Sequence, residues 1–220
     1  MSKTTKGMYG NSHGKLGNLI ISSWKGIEYV RVKPDRVRNP KTPGQLAQRR
    51  KFMLINSIIS PLAPFIRIGF SGYAERMSAY NAALSYNLKN AIMGSPTDPV
   101  LDFEKLIFSR GIYPGVAHAG CIQTGPYSFK LYWSPAPMPA GARYNDRITV
   151  ILYNETQGKP FYFPDLATRA EGLAMTDLPQ ADKGDIIHCY LSVINNAKAL
   201  SGFAKKGISE SCYAGKLTVI

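Results

Sequence analysis

The chain changes period near Pro99, and that change constrains its fold more than any single motif. Beyond it, short alternating runs are separated by Gly, Pro and Asn. The clearest are KLIFSRG (105–111), YSFKLYW (127–133), RITVILYN (147–154), IIHCYLSVI (186–194) and CYAGKLTVI (212–220), with weaker strands over 120–124 and 168–175. Period-two runs of this length, broken by turn residues, predict an antiparallel β-sandwich.

Before Pro99 the pattern is different. NLIISSW (18–24), the pair Lys25–Gly26, and IEYVRVKP (27–34) read as a β-hairpin. Its second strand puts Ile27, Tyr29, Arg31 and Lys33 on one face and Glu28, Val30 and Val32 on the other. Gly7, Gly10, Gly14 and Gly17 precede the hairpin with neither the strand before nor the helix after that a nucleotide-binding loop requires, so they read as turn residues. In NPKTPGQ (39–45), Thr42 can cap a helix and Pro43 suits its first position. That helix should stop near Ser60, because Pro61 and Pro64 cannot continue it. Phe52, Met53, Leu54, Ile55, Ile58 and Ile59 cover nearly its whole circumference, which predicts burial in a core or an interface. A second helix fits residues 73–93, with Met77, Tyr80, Leu84, Leu88 and Ala91 as its stripe and Asn81, Asn87 and Asn90 as solvated flank. SPTDP (95–99) is the best linker. The expectation is therefore α+β: an N-terminal β-hairpin and helices over 1–98, then a sandwich over 99–220.

The charge is lopsided. The net value is +13, yet residues 1–52 hold twelve Lys or Arg against Glu28 and Asp35, a balance of +10. The candidate partner-binding residues are Lys25, Tyr29, Arg31, Lys33, Arg36, Arg38, Lys41, Arg49, Arg50 and Lys51. Lys and Arg gathered in one stretch fit a polyanion such as nucleic acid, an anionic membrane or an acidic protein face, and Tyr29 could stack on a base. A solvated basic surface is the alternative reading of the same residues. Basic residues this early in a helix do not serve its dipole.

Little in the sequence points to catalysis. His13, His118 and His188 fall in no metal-ligand spacing, and no nucleophile elbow, phosphate loop or kinase signature occurs. His188 reads as a satisfied sheet residue, His118 as a residue of a small-residue loop, and Asp182 and Asp185 as turn residues around Gly184. No cofactor and no metal are expected. Cys121, Cys189 and Cys212 are odd in number and widely spaced, so they read as free thiols in a reducing compartment, although Cys121 could pair with Cys189 or Cys212 if strands bring them together. The polar, Gly-rich start shows no secretory signal, and no apolar run reaches membrane-spanning length, so a cytoplasmic protein, or one in a particle assembled there, is expected.

Two resemblances add to this reading. Trp133 ending an apolar strand before SPAPMP, with LPQADKGDIIHCYLSV (178–193), resembles fibronectin type III and related immunoglobulin-like modules, which implies that Tyr190 pins a corner between strands. Over most of the chain, GKLGNLIISSWKGIEYVRVKP, NPKTPGQLAQRRKF, MSAYNAALSYNLKNAI and SESCYAGKLTVI together resemble an uncharacterised Bacteroides-lineage family, a domain of unknown function that implies no catalytic residues. NPKTPGQLAQRRKF is also similar to a phrase of phage-type structural proteins, which implies assembly. The expected function is a non-enzymatic structural or assembly protein that self-associates through its N-terminal region and contacts a polyanion. The alternative is a nucleic-acid-binding protein using residues 31–51.

Overall fold

The structure, a computed structural model, describes residues 2–3, 13–24, 26–36, 39–178, 180–195 and 207–220. The chain forms two compact units, 1–42 and 43–220.

The first unit is a single sheet of four strands in the order β1 (Ser2–Lys3), β4 (Ile27–Val32), β3 (Leu19–Trp24), β2 (Gly14–Leu16), all antiparallel. The expected hairpin is its centre, and a further strand flanks it on either side. Gly26, at φ +77°, supplies the left-handed residue that the tight β3–β4 turn needs.

The second unit has three layers. One sheet orders β10 (Lys159–Thr168), β9 (Arg147–Asn154), β12 (Ile186–Ile194) and β13 (Cys212–Thr218). The other orders β11 (Leu173–Asp177), β8 (Ser128–Ser134) and β7 (Ala117–Gln123). Alternation along the central strands serves two cores. Ile148, Val150 and Leu152 of β9 and Ile187, Cys189, Leu191 and Val193 of β12 pack between the sheets, against Phe129, Leu131 and Trp133 of β8. The opposite face offers Ile151, Tyr153, Tyr190 and Ile194 to a helical layer.

That layer comprises α1 (Pro43–Ile59), α2 (Ala63–Gly69) and α3 (Ala79–Asn90). Ile55, Ile58 and Ile59 of α1, Phe65 and Ile66 of α2, and Ala83 and Leu84 of α3 share its core. Pro61 and Pro64 end α1 as expected, but Pro64 then occupies the first turn of α2, where a missing amide hydrogen costs nothing. The two helices meet at 93°. No single helix among the described residues is long and apolar enough to cross a membrane.

Four expectations are corrected here. The second helix is shorter than expected, because Ser78 caps it by accepting the Asn81 amide hydrogen at 3.1 Å. SPTD (95–98) is the turn of a two-stranded ladder, β5 (Ile92–Gly94) with β6 (Pro99–Leu101), so the expected boundary at 98/99 falls inside the second unit. Residues 105–111 form no strand: Leu106, Ile107 and Phe108 are buried as a loop. That loop is held by Asn87, which is wholly buried rather than solvated. Its Nδ2 donates to the Ile107 carbonyl at 2.9 Å, and its Oδ1 accepts the Ile107 amide hydrogen at 3.0 Å. An amide side chain thus supplies the backbone pairing a strand would have given.

Candidate interaction site

The first unit lacks the usual consequence of folding: none of its described residues with a placed side chain is buried. Register assigns its faces. Leu16 opposes Leu19, which opposes Val32, and Ile21 opposes Val30. One face is therefore a stripe of Leu16, Leu19, Ile21, Val30 and Val32, and Leu16 and Val32 keep 59% and 67% of their surface exposed. On the other face Lys15 opposes Ile20, which opposes Arg31, followed by Ser22 with Tyr29 and Trp24 with Ile27. That face mixes cations with aromatic and apolar groups. Tyr29 is half-buried, whereas Lys15 and Arg31 are exposed.

Within the first unit Lys33, Arg36 and Lys41 are exposed, and the Lys33 amide donates to the Asn18 carbonyl at 2.6 Å, closing the end of the hairpin. Lys25 and Arg38 lie outside the described residues, as do Gly7 and Gly10.

In the second unit α1 divides along its length. Ala47 begins the inner stripe that ends in Ile55, Ile58 and Ile59. Leu46, Arg49, Arg50 and Met53 recur at three- and four-residue spacing on the outer side, all exposed. Phe52 and Met53 remain 44% and 62% exposed, which corrects the expectation of all-round burial. Lys51 is half-buried against the inner edge. Arg50 also serves the fold. Its guanidinium donates to the Thr97 carbonyl at 2.5 Å, tying α1 to the β5–β6 turn. The structure thus distributes the predicted basic strip between two units. It brings Tyr29 and Arg31 onto one sheet face and Arg49 and Arg50 onto one helix face.

The titratable clusters of the second unit are internally satisfied. His188 is buried, stacked on Phe103 with ring centroids 3.8 Å apart. Its Nε2 lies 2.9 Å from Glu155 Oε2 and its Nδ1 2.9 Å from the Tyr213 hydroxyl. The carboxylate can only accept, so Nε2 carries the hydrogen and Nδ1 accepts from Tyr213. Burial holds the imidazole below its ordinary range, only partly offset by Glu155. Tyr213 itself is pushed up to about 12, chiefly by burial.

A second cluster has no counterpart among the sequence expectations. Arg169, 2% exposed, pairs through Nε with Asp146 at 3.2 Å and donates to the carbonyls of Gly115 and Pro114 at 2.7 and 2.6 Å. Asp146 also accepts from the Tyr113 hydroxyl at 2.8 Å and from Asn195 Nδ2 at 3.0 Å. Burial raises the Tyr113 phenol, and the Asp146 carboxylate adds to the effect. These residues are far apart in sequence and carry no motif. Among the described residues, every buried side-chain nitrogen or oxygen has a partner, and no three His, Cys, Asp or Glu converge to hold a metal. Both clusters are therefore read as structural.

Asp182 and Asp185 make a turn, as expected. Asp185 accepts from the Asp182 amide at 2.9 Å and from Asn154 Nδ2 at 2.6 Å, and these bonds lower its carboxyl below the usual range.

No curated protein matches the chain. Among solved structures, the solution structure of the fn3 domain of human collagen alpha-1(XX) chain is similar at 19% identity and a TM-score of 0.34. The match covers 48% of this chain and 84% of that one. The sandwich assignment rests on the two sheets themselves. A family profile, described as a family of unknown function, matches residues 10–203, and the chain accordingly belongs to that family, DUF6266.

Proposed function

We propose that this is a non-enzymatic structural protein that associates with further copies of itself through the apolar face of its N-terminal sheet. The observation that supports this reading is the unburied stripe of Leu16, Leu19, Ile21, Val30 and Val32 on a sheet none of whose described residues with a placed side chain is buried. A lone sheet with an apolar face is not a stable end state in water, since sheets persist by packing that face on another layer. A second copy of the same face is the occupant that fits. Two-fold pairing would set one aliphatic stripe against another, with Glu28, which opposes Ser23 on the same face, as the one carboxylate at the turn end of the stripe among the described residues. The phage-type phrase at 39–52 agrees with an assembly role, although neither it nor the Bacteroides-lineage resemblance names a partner.

A second reading is favoured by the reverse face. Lys15, Arg31 and Tyr29 lie together there, which is the combination that tracks a phosphate backbone and stacks on bases. We infer that a polyanion contacts this face, and that nucleic acid is the first to test. Size-exclusion chromatography with light scattering, run with and without nuclease, separates the readings. A multimer that survives nuclease supports self-association. A monomer that co-elutes with nucleic acid at low salt and loses it at high salt supports the second reading instead. A nucleic-acid-free monomer contradicts both.

A further inference from the structure

Cys121 and Cys189 come from opposite sheets and are brought together in the core between them. Cys121 lies on β7, the edge of the three-stranded sheet, and is half-buried. Cys189 lies on β12, inside the four-stranded sheet, and is wholly buried. Gly215 of β13 makes their approach possible. It pairs directly with Cys189 in the ladder, so its missing side chain would occupy the same face as the Cys189 thiol. A Cβ placed on Gly215 would sit 3.4 Å from Cys121 Sγ. The Cys121 sulfur therefore fills the space left beside Cys189 by the absent side chain, and both belong to the inter-sheet core.

We propose that Cys121 and Cys189 are a peroxide-oxidisable pair that forms a reversible disulfide stapling the two sheets. The environment assigns their roles. Interaction with the Cys189 thiol favours loss of the Cys121 proton, whereas Cys189 is held well above its ordinary range by its interaction with Cys121 and by burial. Cys121 is also the one with access to solvent, so it meets the oxidant first. The Cys121 thiolate attacks hydrogen peroxide: an S–O bond forms, the O–O bond breaks, and the leaving hydroxide takes a proton to become water. The Cys189 sulfur then attacks the Cys121 sulfenic acid: an S–S bond forms, the S–O bond breaks, and the departing hydroxide takes the Cys189 proton. Two thiols and one peroxide thus give one disulfide and two waters, two electrons passing from sulfur to oxygen. Dithiol exchange reverses the step.

Cys212 serves as the internal control. It is half-buried on β13, and its thiol donates to the Tyr213 carbonyl at 3.6 Å. The experiment treats the full reduced chain with excess hydrogen peroxide and follows intact mass, non-reducing peptide maps and thermal unfolding. The expected result is loss of two hydrogens, a peptide joining Cys121 to Cys189 in the wild type and in Cys212→Ser, and no such product in Cys121→Ser. Closing so long a loop should raise Tm by roughly 5–15 °C, reversed by dithiothreitol. Oxidation that stops at Cys121 sulfinic acid, a bridge that includes Cys212, or a bridge between two chains would each overturn the proposal.

Discussion

Tyr190 donates its hydroxyl hydrogen to the carbonyl of Phe103, at 2.8 Å, across 87 residues of sequence. The bond joins a central strand of the sandwich to the loop that follows β6. The fibronectin resemblance implies a Tyr190 at a corner between strands. The structure turns it to the opposite side of the sheet, into the core shared with the helices, edge-on to Phe108 at 4.9 Å between centroids. Burial dominates its environment and pushes the phenol well above its ordinary range, so it acts as a neutral donor. Tyr190→Phe keeps the ring and leaves the Phe103 carbonyl without this donor. The expected cost is about 1–2 kcal/mol in urea unfolding, with an unchanged m-value.

Asn87 should matter more. Two of its three buried hydrogen bonds join α3 to the loop at Ile107, the third returns to the Ala83 carbonyl within the helix, and no water can replace them without a cavity. Asn87→Leu is close to isosteric but strands the Ile107 amide. We expect a loss of about 2–4 kcal/mol, and faster amide exchange at Ile107 than at the centre of β9.

The Arg169–Asp146 pair is wholly buried, so breaking one side leaves an uncompensated charge. Asp146→Ala is expected to cost about 3–5 kcal/mol. Replacing both partners with apolar residues should cost less than the single change, as read from equilibrium unfolding of the double variant.

Acid sensitivity should trace in part to His188. Its folded pKa lies below that of the unfolded chain, so the unfolded state binds the proton more readily. The contribution is nil at higher pH, and stability falls once pH drops through the ordinary histidine range, about 6.5. Glu155, Tyr213 and Lys216 are the groups that act on the ring; Glu155 favours protonation and Lys216 opposes it. His188→Gln should flatten the decline of Tm between roughly pH 7 and 5. An equally steep decline in the variant would remove His188 as its source.

The helix cations give a separate test of the polyanion reading. Reversing Arg49, Arg50 and Lys51 to Glu should leave the sandwich folded, since all three lie on the exposed half of α1 or at its edge. Some loss of stability from the Arg50–Thr97 bond is expected. Retention of nucleic acid should fall at every salt concentration, as read by fluorescence anisotropy.

Much of this architecture is legible in the sequence because local rules govern it. Pro43 and Pro61 bound α1, and Gly26 turns the hairpin. β8 and β11 alternate because one face of each is buried and the other is not. RITVILYN carries a further signal. It is apolar at consecutive positions, as suits a strand covered on both faces, and so announces the helical layer behind the sheet. Other features have no local cause. Asn87 at a loop amide and Asp146 beside Arg169 acquire meaning only from tertiary contact. The N-terminal stripe is half visible, since alternation puts Val30 and Val32 together, but only register adds Leu16, Leu19 and Ile21.

The central claim is that this stripe is an interface between copies of the chain. The most direct measurement is molar mass by light scattering over a concentration series, comparing the wild type with a Leu16→Glu/Val32→Glu variant. Both positions are exposed, so the fold should survive, as circular dichroism would verify. The account predicts a wild-type mass well above 24.2 kDa and a variant that elutes as a monomer. A monomeric wild type, or a variant that assembles as the wild type does, would contradict it.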